Sequence, residues 1–215
     1  MPEVKIGKEK QMSKVQWKGG TLLAPVPATL VTTGTMEHPG ILTVAWTGIL
    51  CSDPPKTYIS VRPSRYSHHL IRESGEFVIN LTTAELARVT DACGVLTGAK
   101  VDKFAKFGLH KEAANTVSCP TLAEAPVSLE CRVTDVIPLG SHDMFLADIT
   151  AVDIDPSLID DGGKLHMERA HLLAYSHGEY FALGKKLGSF GFSVKKKKPA
   201  GNRGTGKPKK KFPSR

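Results

Sequence analysis

The chain has 215 residues, of which 40% are hydrophobic and 7% aromatic, and its formal net charge is +8. This length is enough for one domain with a sizeable core, and we do not expect a second domain. No apolar run approaches the roughly 18 residues that a membrane span needs, and the N-terminal residues mix acids and lysines without an apolar signal core. We therefore expect a soluble, cytoplasmic protein with no membrane partner.

The positive charge is concentrated at the C-terminal end. Residues 195–215 hold ten of the 29 lysines and arginines and no acid, whereas residues 1–194 carry 19 basic and 21 acidic residues. Because this basic tail is rich in Pro, Gly and Lys, we expect it to be disordered. One interpretation is a solvated extension, and the other is an electrostatic contact with nucleic acid or another polyanion. Residues 1–14 are expected to form an N-terminal extension, which leaves 15–194 as the folded domain.

Short β-branched runs dominate this domain, and turn signals such as HPG, DPP, LGSHD and DDGG separate them. The predicted strands lie at 28–35, 41–49, 56–62, 76–81, 127–139, 143–154 and 180–183. Many strands of this length are typical of an antiparallel sheet or a small barrel. The pattern predicts a mainly β fold with flanking helices.

Three segments carry helical signals. In the first, residues 67–75, Ser67 is a plausible N-cap and Gly75 a plausible stop. The second runs from Thr82 or Thr83 to residue 95, and the third is the short stretch 100–109. We expect these small helices to pack across the openings of the barrel.

The four cysteines, Cys51, Cys93, Cys119 and Cys131, have no CxxC spacing. Reduced, partly buried thiols are the expected state, and neither a zinc site nor another metal site is predicted. Cys51 precedes the strand 56–62 in the chain, so we keep it as a residue that lines a ligand site.

The junction between the strand 56–62 and the first helix has an unusual composition. It reads RPSRYS and places Arg62, Ser64, Arg65 and Ser67 where backbone N–H groups at a helix start lack partners. The helix dipole, two hydroxyls and two guanidinium groups together suit an anion such as a phosphate. The alternative is that Ser67 only caps the helix and the arginines lie on the surface. No glycine-rich loop of the Walker or Rossmann type accompanies the junction.

Several longer motifs occur in a consistent order. They are LTVAWTGILCSDPPKTYISVRPSRYSHHLIRESGEFVINL, KVDKFAKFGL, CPTLAEAPVSLECRV and GSHDMFLADI. Together these motifs resemble the flavin reductase-like, FMN-binding split-barrel proteins, with the greatest similarity to the flavoredoxin branch, over about residues 20 to 190. The resemblance implies a six-stranded antiparallel Greek-key split barrel that forms a homodimer and binds FMN near the subunit interface.

The resemblance also implies roles for individual residues. The main chain of the segment around Trp46 would border the flavin ring, Arg65 and Ser67 would hold the phosphate, and Lys103 would lie near the phosphate or the ribityl chain. Ser67 stands where the family more commonly has Thr. The full set of expected cofactor-binding residues is Thr43, Val44, Ala45, Trp46, Thr47, Cys51, Arg62, Ser64, Arg65, Ser67, Asn80, Lys103 and Tyr175.

His142 is the expected catalytic residue, in a segment where Ser141 replaces the Asp of many members. Each of these roles has a simpler alternative. Trp46 and Tyr175 would then be packing residues, Lys103 part of a solvated helix face, and His142 a residue that closes a hairpin turn.

Three functions remain open at this point. The first is an NADH- or NADPH-dependent flavin reductase, which is an FMN-dependent oxidoreductase. The second is a flavoredoxin-type electron carrier that keeps its FMN and exchanges electrons with a redox protein partner. The third is a polyanion-binding protein that acts through the basic tail.

Overall fold

The computed structural model describes residues 14–194. The predictions for residues 1–13 and for the basic tail 195–215 lie outside the described residues. Residues up to Leu183 belong to one compact unit, which contains every helix and strand of the part that the structure describes. A second unit begins at Gly184, and its described residues contain no helix or strand, with a turn at residues 190–194.

Twelve strands are present in the first unit. They are β1 (Val26–Pro27), β2 (Thr29–Gly34), β3 (Pro39–Val44), β4 (Thr47–Ser52), β5 (Pro55–Val61), β6 (Glu76–Leu81), β7 (Lys111–Glu112), β8 (Thr121–Leu122), β9 (Val127–Pro138), β10 (Asp143–Ile154), β11 (Leu173–Ser176) and β12 (Glu179–Ala182). The short strands β1, β11 and β12 form a small sheet, and β7 pairs with β8.

The main sheet has seven antiparallel strands in the order β3-β2-β6-β9-β10-β5-β4. The predicted class, a mainly β antiparallel barrel, is confirmed, but the strand count is seven rather than six. The extra strand arises because the predicted run 41–49 is interrupted at Ala45 and Trp46, which separate β3 from β4.

This interruption explains why the sheet closes. β3 and β4 are the two edges of the sheet, yet only two residues connect them. From Val44 to Thr47 the chain spans at most about 10 Å, so the sheet must curl until its edges meet at this end. The Ala45–Trp46 corner is therefore the point at which the barrel closes.

Three α-helices flank the sheet, namely α1 (Tyr66–Ser74), α2 (Ala87–Val95) and α3 (Lys103–Phe107), and two 3-10 helices lie at Pro156–Leu158 and Met167–Arg169. α1 ends where predicted, because Gly75 takes a left-handed conformation with φ of 68° and donates its N–H to the Ile71 carbonyl. α3 begins at an Asp102 cap, whose carboxylate accepts a hydrogen bond of 3.1 Å from the Ala105 N–H.

Two apolar clusters fix the helices around the barrel. The barrel interior contains Phe77, Phe145 and Ile59, and α1 adds Ile71 to this cluster. A second cluster joins Leu30 and Ile41 of the sheet to Cys93 of α2 and Phe104 of α3. Since apolar burial is the main stabilising contribution, these clusters hold α1, α2 and α3 against the sheet.

The cysteines are free thiols, and Cys93, Cys119 and Cys131 are buried. Burial raises the pKa of the Cys119 thiol to about 12 and raises the pKa of Cys131 further, so both remain protonated at neutral pH. In the stretch from residue 14 to residue 194, no helix is long and apolar enough to cross a membrane.

Candidate functional site

The N-cap of α1, at the junction after β5, lies two residues earlier than the sequence predicts. The Arg65 N–H donates to the Arg62 carbonyl and the His68 N–H donates to the Arg65 carbonyl, each at 2.9 Å. Arg65 is therefore the N-cap, and the prediction that Ser67 caps the helix is wrong. Among the described residues, no side chain caps this helix end, and no acidic residue occupies its first turn. The unpaired N–H groups and the dipole are thus available to an anion.

Two glycines allow the start of α1 to pack closely against its neighbours. A Cβ on Gly40 of β3 would lie 2.5 Å from Thr33 Oγ1 and 3.1 Å from Ser67 Oγ, so only glycine lets α1 approach the sheet this closely. The Tyr66 ring packs against Gly98 in the same way, since a Cβ there would lie 2.7 Å from the ring. Ser67 is buried as a result, with 3% of its surface exposed.

A cavity of about 170 Å³ opens at this helix start, and we call it the cationic arm. Its polar lining includes Arg62, Ser64, Arg65, Ser67 and Lys103, all of which the sequence predicted as phosphate-binding or phosphate-proximal residues. The structure therefore brings together hydroxyl groups and cations from the junction with a lysine 36 positions further along the chain.

Lys103 is buried, with 4% of its surface exposed, so the alternative that it belongs to a solvated helix face is wrong. Its Nζ donates to the carbonyls of Ile41 and Cys93, each at 2.8 Å. An ammonium has three N–H groups, so one remains for a ligand. Burial lowers the pKa of Lys103 below its ordinary value of 10.5, and the positive charge of Arg65 lowers it further.

A second cavity of about 290 Å³ continues from the first, and we call it the aromatic arm. The two cavities share Leu42, Thr43, Arg62, Arg65 and Gly94 and so form one cleft. Their volumes together fall in the range of about 300–1,000 Å³ that is typical of ligand pockets.

The Ala45–Trp46 corner and the β11–β12 hairpin form the walls of the aromatic arm. Thr43, Val44, Ala45 and Trp46 line it from the barrel side, as expected, and Tyr175 lines it from β11. The Trp46 carbonyl accepts a hydrogen bond of 2.9 Å from the Ser60 N–H, which fixes the corner against β5.

His142 lies in the turn between β9 and β10 and also lines the aromatic arm. Its Nδ1 is 2.9 Å from the Ser141 hydroxyl. Burial lowers the pKa of His142 below its ordinary value of 6.5, and the nearby charges of Arg62 and Arg65 lower it further. The imidazole is therefore neutral at pH 7. His142 also closes the turn, since the Leu139 N–H donates to its carbonyl at 2.9 Å, and its catalytic role stays a prediction.

Three of the expected cofactor-binding residues do not line the cleft. Thr47 uses its hydroxyl in a 2.6 Å hydrogen bond to the Tyr58 carbonyl within the β4–β5 pair. Cys51 lies at the far end of β4, five residues or roughly 16 Å from Trp46, with its thiol directed to the Asp53 carbonyl.

Asn80 is the third of these residues and is fully buried in β6. Its amide nitrogen donates to the Leu30 carbonyl at 2.9 Å, and its amide oxygen accepts from the Leu122 N–H at 3.0 Å and from the Ser128 hydroxyl at 2.8 Å. Because these bonds are made inside the sheet, Asn80 has a structural role, and its assignment to the cofactor is corrected.

Sequence reasoning missed Asp91, Gly94 and Tyr180, which also line the aromatic arm. The Tyr180 hydroxyl donates to Asp91 Oδ1 at 3.2 Å, and its ring packs edge-on against Tyr175 at 5.4 Å. Burial raises the pKa of Tyr180 to about 12, and the Asp91 carboxylate contributes to the increase. The segment YSHGEY gave a usable signal, because a His-Gly turn between two tyrosines makes them cross-strand neighbours.

Comparison with known proteins places this cleft in a family. Residues 22–184 match the model of the flavin reductase like domain. The chain belongs to the flavin reductase-like family. This match confirms the resemblance that the sequence motifs indicated.

Individual proteins agree with this assignment. A flavoredoxin of Desulfovibrio vulgaris (Miyazaki F) is 31% identical, with a TM-score of 0.78 over 85% of this chain and 99% of that one. An uncharacterized protein of Archaeoglobus fulgidus is 32% identical over 74% of this chain and 88% of its own length. An NADPH-flavin oxidoreductase of Streptomyces viridifaciens is 28% identical over 61% of this chain and 68% of its own length.

Proposed function

We propose that this protein is an oxidoreductase that binds FMN in the cleft, with the phosphate in the cationic arm and the isoalloxazine ring in the aromatic arm. The observation that carries the proposal is the continuity of the two arms. An uncapped helix start with serine hydroxyls and three cations opens directly into a cavity that Trp46 and Tyr175 line. One molecule with a doubly charged end and a flat, largely apolar end satisfies both arms.

Each group in the cationic arm has a specific role in binding the phosphate. Ser67 and the first N–H groups of α1 donate hydrogen bonds to phosphate oxygens, and Arg65 supplies charge and forked donors. Lys103 contributes its remaining N–H from the floor of the arm. Ser64 and Arg62 lie at the exposed side and complete the positive lining.

The aromatic arm orients the ring and limits its exposure to water. The main chain from Thr43 to Trp46 provides backbone groups along one edge, while Trp46 and Tyr175 cover apolar surface. FMN supplies the hydride and electron transfer, and the protein supplies binding, orientation and electrostatics. His142 is neutral, so it can accept or donate a hydrogen bond at the ring without placing a full charge there.

We infer that NADH or NADPH is the electron donor, which makes the protein a flavin reductase. The NADPH-flavin oxidoreductase among its relatives supports this inference. A flavoredoxin-type carrier with a redox protein partner is the second candidate, and the similarity to flavoredoxin over 99% of that chain supports it.

The assembly and location are inferred as well. We expect a homodimer, because the edge strand β4 exposes Ile49 and Leu50, at 66% and 48%, and exposed apolar edge strands are sites of association. A cytoplasmic location remains a prediction. The third candidate, polyanion binding by the basic tail, concerns residues outside the described part of the chain.

The test of FMN binding is a pair of substitutions at the helix start. Ser67→Ala and Arg65→Ala each remove a hydrogen bond to a charged group, worth about 1.5–3 kcal/mol, so each should weaken FMN binding at least tenfold. Ser74→Ala, in the last turn of the same helix, is the matched control and should bind FMN as the wild type does. Unchanged FMN affinity in both cleft variants would contradict the proposal.

The donor is identified by adding NADH or NADPH to the FMN-loaded protein without oxygen and recording the visible spectrum. Prompt bleaching identifies a reductase that uses a nicotinamide donor. Bleaching only with dithionite or a reduced protein identifies a carrier. A colourless protein that takes up no added FMN would contradict both.

A further inference from the structure

Three segments that contribute to the cleft meet at one partly buried carboxylate. Asp143 is the first residue of β10, directly after His142, and its register partner is Val61, directly before Arg62. Its Oδ2 lies 2.8 Å from Nε2 of His68, which directly follows Ser67 in α1. The phosphate end and the ring end of the cleft are thus connected through the His68–Asp143 pair.

The pair is enclosed rather than solvated. His68 is 8% exposed and packs edge-on against Phe145, with ring centroids 5.3 Å apart. The Asp143 side chain is 14% exposed, and Arg72 approaches the same oxygen at 3.8 Å. A buried pair of this kind is weak evidence for stability, because desolvation offsets its attraction. Its directional hydrogen bond instead fixes α1 relative to the start of β10.

We propose that His68 and Asp143 are positioning residues that couple occupation of the phosphate end to the placement of His142 at the ring end. The proposal rests on the FMN function above. A phosphate that accepts a hydrogen bond from Ser67 fixes the first turn of α1. The hydrogen bond between His68 and Asp143 then links the position of this turn to that of the adjacent His142. Packed interiors move as connected units, so a shift at one end is passed on. Such coupling is reciprocal for binding free energies.

Riboflavin is the probe that separates the two ends, because it has the ring of FMN without the phosphate. The readout is the midpoint potential of the bound flavin. Its difference from the potential of the free flavin gives the ratio of the protein's affinities for the oxidised and reduced forms. In the wild type this ratio should differ about tenfold between FMN and riboflavin, or about 30 mV for a two-electron couple. In Asp143→Ala the difference should fall below about twofold, or about 9 mV.

Two further variants make the result specific. Asp143→Asn keeps an oxygen acceptor for His68 and should retain most of the wild-type difference. Asp148→Ala is the matched control, because Asp148 pairs with Lys56 across the same two strands, away from the cleft. It should lower thermal stability at most and leave the FMN-to-riboflavin difference unchanged.

The outcomes are distinguishable. A wild-type protein that binds no FMN contradicts the proposed function and this inference with it. A protein that binds FMN while Asp143→Ala retains the full difference overturns only the coupling, as does a wild type without any difference. If Asp143→Ala does not fold, the same measurement is made on His68→Phe. This variant keeps the packing on Phe145 and removes the hydrogen bond to Asp143. Loss of the difference supports the coupling, and its retention overturns it.

Discussion

The cationic arm takes both of its arginines and both of its serines from residues 62–67, whereas the aromatic arm combines the Ala45–Trp46 corner with α2, the β9–β10 turn and the β11–β12 hairpin. Most of the charge in the first arm therefore comes from a single strand-to-helix junction. The second exists only when distant elements have packed. Local chemistry can mark an anion site, but the shape of a ring site depends on the whole barrel.

The largest effect is expected for a substitution of Gly40 in β3, because this glycine allows α1 and the junction to pack closely against the barrel. Gly40→Ala places a methyl group 2.5 Å from Thr33 Oγ1 and 2.8 Å from Leu70 Cδ1, so α1 must move away from β3. Overpacking of this kind costs about 1–3 kcal/mol. We expect a lower free energy of unfolding by urea and loss of most FMN affinity. Gly19→Ala, whose Cβ would have no neighbour within 4 Å, should change neither quantity.

Lys103→Met tests the one cation that reaches the cationic arm from a distant element. The variant loses the ammonium and leaves the carbonyls of Ile41 and Cys93 without this donor. We expect FMN binding to weaken about tenfold, which corresponds to about 1.4 kcal/mol. Isothermal titration with FMN measures the change. Equal affinity in the variant and the wild type would mean that the arm is complete without Lys103.

The same lysine predicts a pH dependence. The pKa of Lys103 is lowered by burial, so between that value and 10.5 the unfolded chain binds more protons than the folded chain. The contribution of Lys103 to the free energy of unfolding therefore rises with pH in this window. FMN affinity should fall with pH there, because a phosphate prefers the ammonium. This decline should be absent in Lys103→Met, and an equal decline in both proteins would contradict the assignment.

The smallest effect on FMN affinity is expected in the aromatic arm, because residues from many elements line it. Tyr180→Phe keeps the edge-on contact with Tyr175 and removes the 3.2 Å hydrogen bond to Asp91. A hydrogen bond of this kind contributes about 0.5–1.5 kcal/mol to stability. Thermal unfolding should show a small decrease, and FMN affinity should change less than threefold. A larger loss of affinity would show that this arm also depends on single contacts.

The sequence predicted the features that depend on local chemistry or on motif order. The cationic junction, the end of α1 at Gly75 and the family fold belong to this group. The break at Ala45–Trp46 was not predicted, because ILTVAWTGI contains no proline or glycine before Gly48 to mark it. Asn80 was misassigned because its partners, such as Leu122 and Ser128, are set by the tertiary fold. Asp91 and Gly94 were missed because only packing brings α2 against Thr43.

The two-residue corner also borders the aromatic arm of the cleft. No hydrogen-bond ladder joins β3 to β4, so their separation is limited by the chain between them and by the Ser60 to Trp46 bond. Inserting residues there would leave all six strand pairings possible while widening the mouth of the aromatic arm, since longer connections cost little entropy. We therefore expect the length of this one loop to limit the size of the molecule that enters the aromatic arm, so that this limit can change while the core stays the same.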